Sequence, residues 1–224
     1  MKYFPIRQGR IMIDFHTHTV FSDGVLIPAE LIQRAEICGY RAIGISDHVD
    51  ASNIDHVIPR IVKVAETLNS VHAIKTIPCA ELTHIPPSQI ASLAQEARSL
   101  GAQVVIVHGE TIAEPVAVGT NRAALNARIN ILAHPGLISQ EEAEMAAHAG
   151  IFLEITARKC HSLTNGHVAR MAKLTGARLI LSSDTHAPSD LLTDQFGEMV
   201  VLGAGLDPED FKLMQKNAMV LANL

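Results

Sequence analysis

Histidine and aspartate side chains with the spacing of metal ligands occur in the segment MIDFHTHTVFSDG, which covers residues 12–24. Residues two apart on a β-strand project to the same side, so His16 and His18 can direct two imidazole rings at one point. Asp23 places a carboxylate close behind them. A His-x-His pair can also cap a strand or form hydrogen bonds with the backbone. Its interpretation as a pair of metal ligands therefore depends on the rest of the chain.

Five later stretches of the sequence place histidine or acidic residues after short apolar runs. These stretches contain the residues His48, Glu81, His108, His134, Asp184 and His186. The alternative for these side chains is a metal-free polar cluster, whose members would have to satisfy one another by hydrogen bonds. Their repeated position after apolar runs favours a common site.

The other six of the twelve histidines divide into two groups. Those in or beside helical stretches are interpreted as solvated or packed residues, namely His56, His72, His148 and His167. His84 and His161 follow strand ends, where they could contact a substrate.

Short runs rich in isoleucine, valine and leucine alternate with stretches of helical spacing. The predicted strands are Ile11–Phe15, Ala42–Ile45, Ala73–Cys79, Gln103–Val107, Ile129–Ala133, Ile151–Ile155 and Arg178–Leu181. The helices with clear start and stop signals are Pro28–Cys38, Pro87–Leu100 and a last helix that begins at Asp207-Pro208. Repeated strand–helix units predict a parallel sheet, because parallel strands need crossover connections.

An open sheet and a closed barrel are both compatible with this alternation. A barrel gathers the carboxyl ends of all its strands around one mouth, whereas an open sheet concentrates function at a switch point. Polar candidates end all seven predicted strands, so the sequence favours an α/β fold, a distorted seven-stranded (β/α)7 TIM-like barrel. A chain of 224 residues with 48 % apolar content fits a single domain spanning residues 1–224.

Composition narrows the range of partners. A formal net charge of −5 argues against broad nucleic-acid binding, so any anionic substrate must be gripped locally. The start, MKYFPIRQGR, lacks the apolar core of a signal peptide, and no apolar run reaches the length of a membrane span, so a cytoplasmic protein is expected. The cysteines Cys38, Cys79 and Cys160 are expected to be small buried residues rather than disulfide partners. The oligomeric state is not predicted.

Taken in order, the motifs resemble those of the PHP (polymerase and histidinol phosphatase) superfamily. They are HTHT followed by SDG, then SDH, a glutamate, a histidine, HPG and SDTH. The resemblance covers about residues 11–190. It implies a distorted seven-stranded βα barrel that carries two or three divalent metal ions and, in most members, hydrolyses phosphate esters.

Carried over by position, the resemblance implies a trinuclear metal site. The first ion would be held by His16, His18, Glu81 and Asp184. The second would be held by His108 and His134, with Glu81 as a bridge. The third would be held by Asp23, His48 and His186. Nitrogen and oxygen ligands without thiolate suit zinc, manganese or iron.

Several residues near these ligands receive supporting roles. Asp23 stands where some relatives have histidine, which shifts the third position toward harder ions. Glu154 is expected to support ligands without binding metal itself. Asp14 and Asp47 are expected either to orient imidazoles or to cap loops.

The implied chemistry is attack on phosphorus by a hydroxide shared between the first two metal ions. Asp184, His186 and Arg158 are the predicted catalytic residues. His186, His84 and His161 are alternatives for protonating the leaving group. Arg158 is expected to bind the phosphate through its forked guanidinium, with Lys159 beside it.

The resulting prediction is a phosphatase or phosphoesterase acting on a small phosphorylated molecule. Histidinol phosphatase and cyclic or nucleotide phosphodiesterase activities stay open, and the loops 109–119 and 157–166 are expected to set the choice. The alternative outside the enzyme class is an inactive metal-binding structural module. The complete ligand set favours the enzyme.

Overall fold

The computed structural model describes residues 12–224, so Ile11 of the first predicted strand lies outside the described residues. The strands are β1 Met12–Asp14, β2 Tyr40–Ile45, β3 His48–Val49, β4 Lys75–Leu82, β5 Val104–His108, β6 Ile131–Ala133, β7 Phe152–Thr156 and β8 Leu179–Ser182. The α-helices are α1 Pro28–Ile37, α2 Ile54–Asn69, α3 Ile90–Ser99, α4 Thr120–Leu125, α5 Gln140–Ala149, α6 Asn165–Thr175, α7 Asp194–Gly203 and α8 Pro208–Ala222.

Seven strands form a parallel sheet in the order β1-β2-β4-β5-β6-β7-β8, and the two-residue strand β3 pairs with β4. The first and last strands of this order meet just beyond their ends, where Thr17 bridges to Thr185. The His18 backbone N–H donates to the Thr185 carbonyl at 2.8 Å. The sheet is therefore a nearly closed barrel, which confirms the predicted fold class.

The alternation of side chains along each strand divides the apolar core into two parts. Alternate strand residues, including Ile13, Ile106 and Phe152, form a cluster that also contains Ala218 and Ala222 of α8. The intervening strand residues pack against the surrounding helices. Because strands buried on both faces must be apolar on both, the predicted strands read as continuous apolar runs.

Element boundaries differ from the prediction where proline and metal-ligand candidates occur. The third predicted strand, Ala73–Cys79, is shifted to Lys75–Leu82, so Glu81 lies within the strand. The helix predicted from Pro87 begins as a 3-10 turn over Pro87–Gln89 and becomes α-helical at Ile90.

The last helix confirms its predicted start. The Asp207 side chain accepts hydrogen bonds from the Glu209 and Asp210 backbone N–H groups and so caps α8. Cys79 is buried as expected, but Cys38 and Cys160 are exposed, because they lie at a helix end and in a loop. Within residues 12–224, no helix combines the length and apolar character needed to cross a bilayer.

Candidate metal centre

The carboxyl ends of the strands and the loops that follow them enclose a cavity of about 280 Å³. Its lining consists of Asp23, His48, Thr83, His84, His108, Glu114, His134, Arg158, His161, Asp184 and His186. His16, His18 and Glu81 lie beneath it and are fully or almost fully buried. All nine predicted metal ligands thus converge at one end of the barrel.

Two carboxylates form the centre of this cluster. Glu81 Oε1 lies 3.3 Å from His16 Nε2, and Asp184 Oδ1 lies 3.2 Å from His18 Nε2. His16 Nε2 is also 3.7 Å from Asp184 Oδ1. Donor atoms of His16, His18 and Asp184 all lie within 4.8 Å of one another, a separation at which they could share an ion.

Glu154 connects two of the candidate ligands from below. Its Oε1 lies 2.7 Å from His16 Nδ1, and its Oε2 accepts a hydrogen bond from the His134 backbone N–H at 2.9 Å. The Nδ1 contact leaves His16 Nε2 directed at Glu81 and Asp184. A carboxylate that fixes a histidine in this way is a common partner of metal-binding imidazoles, as expected for Glu154.

A second group lies at the ends of β5 and β6. The His108 and His134 rings are 4.5 Å apart between centroids, and His134 Nε2 is 3.9 Å from Glu81 Oε1. Donor atoms of His108, His134 and His161 lie within 4.8 Å of one another. Glu81 is thus placed between this group and the first one.

The third group surrounds Asp23. Its two oxygens lie 3.4 Å from His48 Nε2 and 3.1 Å from His186 Nε2. His18 completes a set of four donors within 4.8 Å. His48 Nδ1 is 2.6 Å from Glu81 Oε2, so the third group also contacts the central carboxylate.

Several buried polar atoms of this centre have no hydrogen-bond partner among the described residues. They are His16 Nε2, both ring nitrogens of His18, Glu81 Oε1, His108 Nδ1, His134 Nδ1 and Asp184 Oδ1. Buried polar groups are rarely left unsatisfied, and their concentration at a site calls for a specific explanation. Imidazole nitrogens and carboxylate oxygens fit zinc, manganese or iron, and a carboxylate such as Glu81 can contact two ions.

The charges of the cluster keep its carboxylates ionised. Burial raises the pKa of Glu81, but His16 and His48 outweigh burial and hold the pKa well below its ordinary value. Burial acts against ionisation of Asp184 as well, and His16 and His18 again keep its pKa low. Burial lowers the pKa of His48, but Glu81 and Asp23 raise it to about 10.

The imidazoles of the second group are held neutral. Burial and the neighbouring His108 keep the pKa of His134 well below its ordinary value. Burial also lowers the pKa of His108. A neutral imidazole has a free lone pair, which is the form that binds a metal ion.

Two candidate ligands have positive φ angles, which residues other than glycine rarely adopt. His134 has φ 24° and Asp184 has φ 55°. Gly136 of the HPG motif has φ 64°, and a Cβ atom there would lie 1.8 Å from the Glu110 carbonyl oxygen. Such strain persists only where the surroundings enforce it, and it is concentrated at functional sites.

The predicted substrate contacts are placed at different distances from the cluster. Arg158 lines the cavity, with Nε 4.0 Å from Asp184 Oδ2 and Nη1 3.5 Å from Asp190 Oδ2. His84 and His161 also line it. Lys159 is exposed and lies outside the set of residues that line the cavity.

Two aspartates have structural roles, which decides between the alternatives left open for them. Asp47 accepts hydrogen bonds from the backbone N–H and hydroxyl groups of Thr19 and Ser22, so it caps the loop that carries Asp23. Asp14 accepts from the backbone N–H groups of His16 and Ser183 and so ties β1 to the residue that follows β8.

Sequence reasoning missed Glu114, in the loop after β5. Its Oε2 lies 3.1 Å from His108 Nε2 and 3.3 Å from His84 Nε2, and its Oε1 lies 3.5 Å from His161 Nε2. The available signal was an acidic residue in the loop after a ligand-bearing strand. That signal is weak, because the loop also contains Glu110.

A nearly closed parallel barrel with clustered imidazoles and carboxylates at its mouth defines a barrel protein equipped to hold metal ions. Residues 14–134, more than half of the chain, match the PHP domain family. The chain therefore belongs to the PHP domain family. It is 48 % identical over 201 residues to an uncharacterised protein of Methanocaldococcus jannaschii, covering 89 % of this chain and 92 % of the relative.

Solved structures share the fold. A chain of archaeal ribonuclease P with mature tRNA superposes with a TM-score of 0.72 at 14 % identity, covering 95 % of this chain and 90 % of that chain. Histidinol phosphate phosphatase from Lactococcus lactis, in complex with zinc, L-histidinol and phosphate, has a TM-score of 0.60 at 17 % identity, covering 87 % and 94 %. At these identities the likeness establishes the fold alone.

Proposed function

We propose that this protein is a metal-dependent phosphoesterase that hydrolyses a small phosphate ester at the barrel mouth. The observation that carries the proposal is the convergence of nine imidazole and carboxylate side chains, with Glu81 and Asp184 at their centre and with buried donor atoms left without hydrogen-bond partners. Membership of the PHP family supports a hydrolase.

The chain's charges explain why metal ions are needed for an anionic substrate. Glu81, Asp184 and Asp23 concentrate negative charge at the cavity, and the protein as a whole has a formal net charge of −5. Divalent ions bound there would offset this charge, lower the pKa of bound water and stabilise phosphate oxygens as negative charge develops.

We propose that Arg158 holds the phosphate. Its side chain is 32 % exposed at the cavity, and Asp190 orients one end of the guanidinium while Nε faces Asp184. A planar guanidinium matches phosphate oxygens with paired donors. Lys159 is exposed beside it, where it can contact only a substrate group that extends beyond the cavity.

His186 is one of three candidates for proton transfer to the leaving group. Its Nδ1 lies 2.9 Å from the Asp184 carbonyl oxygen, and its Nε2 faces Asp23. His84 and His161 flank the opposite side of the cavity with Glu114. We propose that one of these three histidines, or water held by them, delivers a proton to the leaving alcohol.

The size of the cavity favours a small substrate. A volume of about 280 Å³ is just below the range of about 300–1,000 Å³ that is typical of small-ligand pockets. Histidinol phosphate is a candidate substrate, because histidinol phosphate phosphatase from Lactococcus lactis, which shares the fold, was solved with L-histidinol and phosphate. A cyclic or nucleotide phosphodiester is the alternative substrate within the same site.

The test is a metal analysis combined with a panel of phosphate monoesters and diesters. The purified protein should bind divalent ions, and turnover should depend on them and be lost on chelation. Hydrolysis of monoesters but not of bis-aryl phosphates would assign the phosphatase; the reverse would assign the diesterase. Metal-loaded protein that hydrolyses no member of either class would contradict the proposal.

A second candidate is an inactive module within an RNA-associated assembly. It is favoured by the TM-score of 0.72 to a chain of archaeal ribonuclease P with mature tRNA. The formal net charge of −5 opposes general RNA binding. Tight, salt-dependent binding of a structured RNA by a protein without esterase activity would favour this candidate.

A further inference from the structure

Three side chains at the mouth have no place in the predicted three-ion ligand set. We call His84, Glu114 and His161 the outer cluster; they lie in the loops that follow β4, β5 and β7. The Glu114 carboxylate lies between the two histidines, at 3.3 Å from His84 Nε2 and 3.5 Å from His161 Nε2. It also lies 3.1 Å from Nε2 of His108, a predicted ligand.

His161 packs against His134, and its Nε2 faces Glu114. His161 is 7 % exposed, and its ring stacks on that of His134 with the ring centroids 4.2 Å apart. Thr111 Oγ1 lies 2.7 Å from His161 Nδ1, which leaves Nε2 available. A hydrogen bond at one ring nitrogen is the usual device for orienting the other toward a metal ion.

The outer cluster adjoins the second ion position through His108, which belongs to both groups of donors, and through the contact of Glu114 with His161. Donor atoms of His108, His134 and His161 lie within 4.8 Å of one another, and so do those of His84, His108 and Glu114. A purely structural ion pair would place one imidazole against a carboxylate. Here the carboxylate meets three imidazoles, one of which, His108, is a predicted ligand of the second ion.

We propose that the ion at His108 and His134 is bound by two additional ligands, His161 and Glu114, and that Glu114 is displaced when phosphate binds. This inference rests on the proposed function, since it concerns the same second ion. It adds ligands that the family pattern does not supply.

The physical reason lies in coordination number. The bridging Glu81 and the three imidazoles would already supply the four ligands that zinc usually takes, so Glu114 would be a fifth ligand at the position that a substrate could take. Glu114 is the exposed member of the set, with its side chain 41 % exposed, while His108 and His134 are buried. A ligand on a surface loop can withdraw without disturbing the barrel, so Glu114 is the group that yields to a phosphate oxygen.

The chain offers a matched control in the same loop. Glu110 Oε1 accepts hydrogen bonds from the Gly119 and Asn121 backbone N–H groups, at 3.0 and 2.9 Å. Glu110→Gln removes one negative charge from the loop and keeps this acceptor. Glu114→Gln removes the same charge from the proposed ligand.

The experiment measures zinc binding by chelator competition and then phosphate binding to the zinc-loaded protein. Relative to wild type and Glu110→Gln, Glu114→Gln should weaken the binding of one zinc ion by at least about 10-fold, because loss of an indirect partner of a metal ligand already costs about 10- to 100-fold. At saturating zinc, it should bind inorganic phosphate more tightly, because no ligand has to be displaced. If Glu114 had only a structural role, Glu114→Gln would weaken the binding of both zinc and phosphate.

The outcomes distinguish failure of this inference from failure of the proposed function. If wild-type protein binds no divalent ion, the proposed function and this inference both fail. If wild type binds zinc and Glu114→Gln matches Glu110→Gln in both measurements, only the role of Glu114 fails. Weaker phosphate binding by Glu114→Gln would also overturn the displacement.

Discussion

Replacing the central carboxylate gives the most direct test of the metal centre. Glu81 is fully buried, and its oxygens lie 2.6 Å from His48 Nδ1 and 3.3 Å from His16 Nε2. Glu81→Gln keeps the size of the side chain and removes its charge and its ability to contact two ions. The binding of both the first and the second ion should therefore be weakened.

The expected size of the effect follows from the contacts. Loss of an indirect partner of a metal ligand typically costs 10- to 100-fold in affinity, so loss of a direct shared ligand should cost at least about 1.4–2.7 kcal/mol per ion. In the metal-free protein, removing one side of a buried charge pair costs about 3–5 kcal/mol. The lower end is expected, because His16 and His48 can release their protons.

The assay combines metal content by mass spectrometry, chelator competition and urea unfolding of metal-free protein. Glu66→Gln, an exposed position on α2, is the control and should match wild type in all three. Wild-type metal content and turnover in a folded Glu81→Gln protein would refute the role of Glu81 as a bridge.

The remaining predictions address substrate, pH and backbone. Arg158→Ala should raise KM for phosphate monoesters more than it lowers kcat, since Arg158 faces the cavity beside Asp184; an unchanged KM would make it a surface loop residue. In metal-free protein, the pKa of His48 is raised to about 10, which contributes stability that is fully present below pH 6.5 and is lost as the pH rises toward 10. Urea unfolding across this range should show a smaller decline in the free energy of unfolding for His48→Gln than for wild type. Equal declines would contradict the contacts of His48. Gly136→Ala should destabilise by at least about 1–3 kcal/mol, because φ is 64° and the new Cβ would meet the Glu110 carbonyl; wild-type thermal stability would contradict the strain.

Much of the fold could be predicted from the sequence because its signals are local. Continuous apolar runs, helix caps such as Asp207 and strand-to-helix alternation depend on residues near one another in the chain. The short strand β3 was missed, since a two-residue strand has no periodicity to detect. The start of the predicted Pro87 helix is a 3-10 turn, a difference of one turn that sequence signals rarely resolve.

The sequence by itself determined the chemical types at the mouth: imidazoles and carboxylates in a fixed order, each after an apolar run. Only the tertiary structure decided their distances, because Glu81, Asp184 and Glu114 are brought together by barrel closure and loop paths. It also assigned Asp14 and Asp47 to backbone N–H groups and placed Glu114 against three histidines. The contacts of Asp14 with Ser183, of Asp47 with Thr19 and of Glu114 with His161 join distant parts of the chain, and no local pattern encodes them.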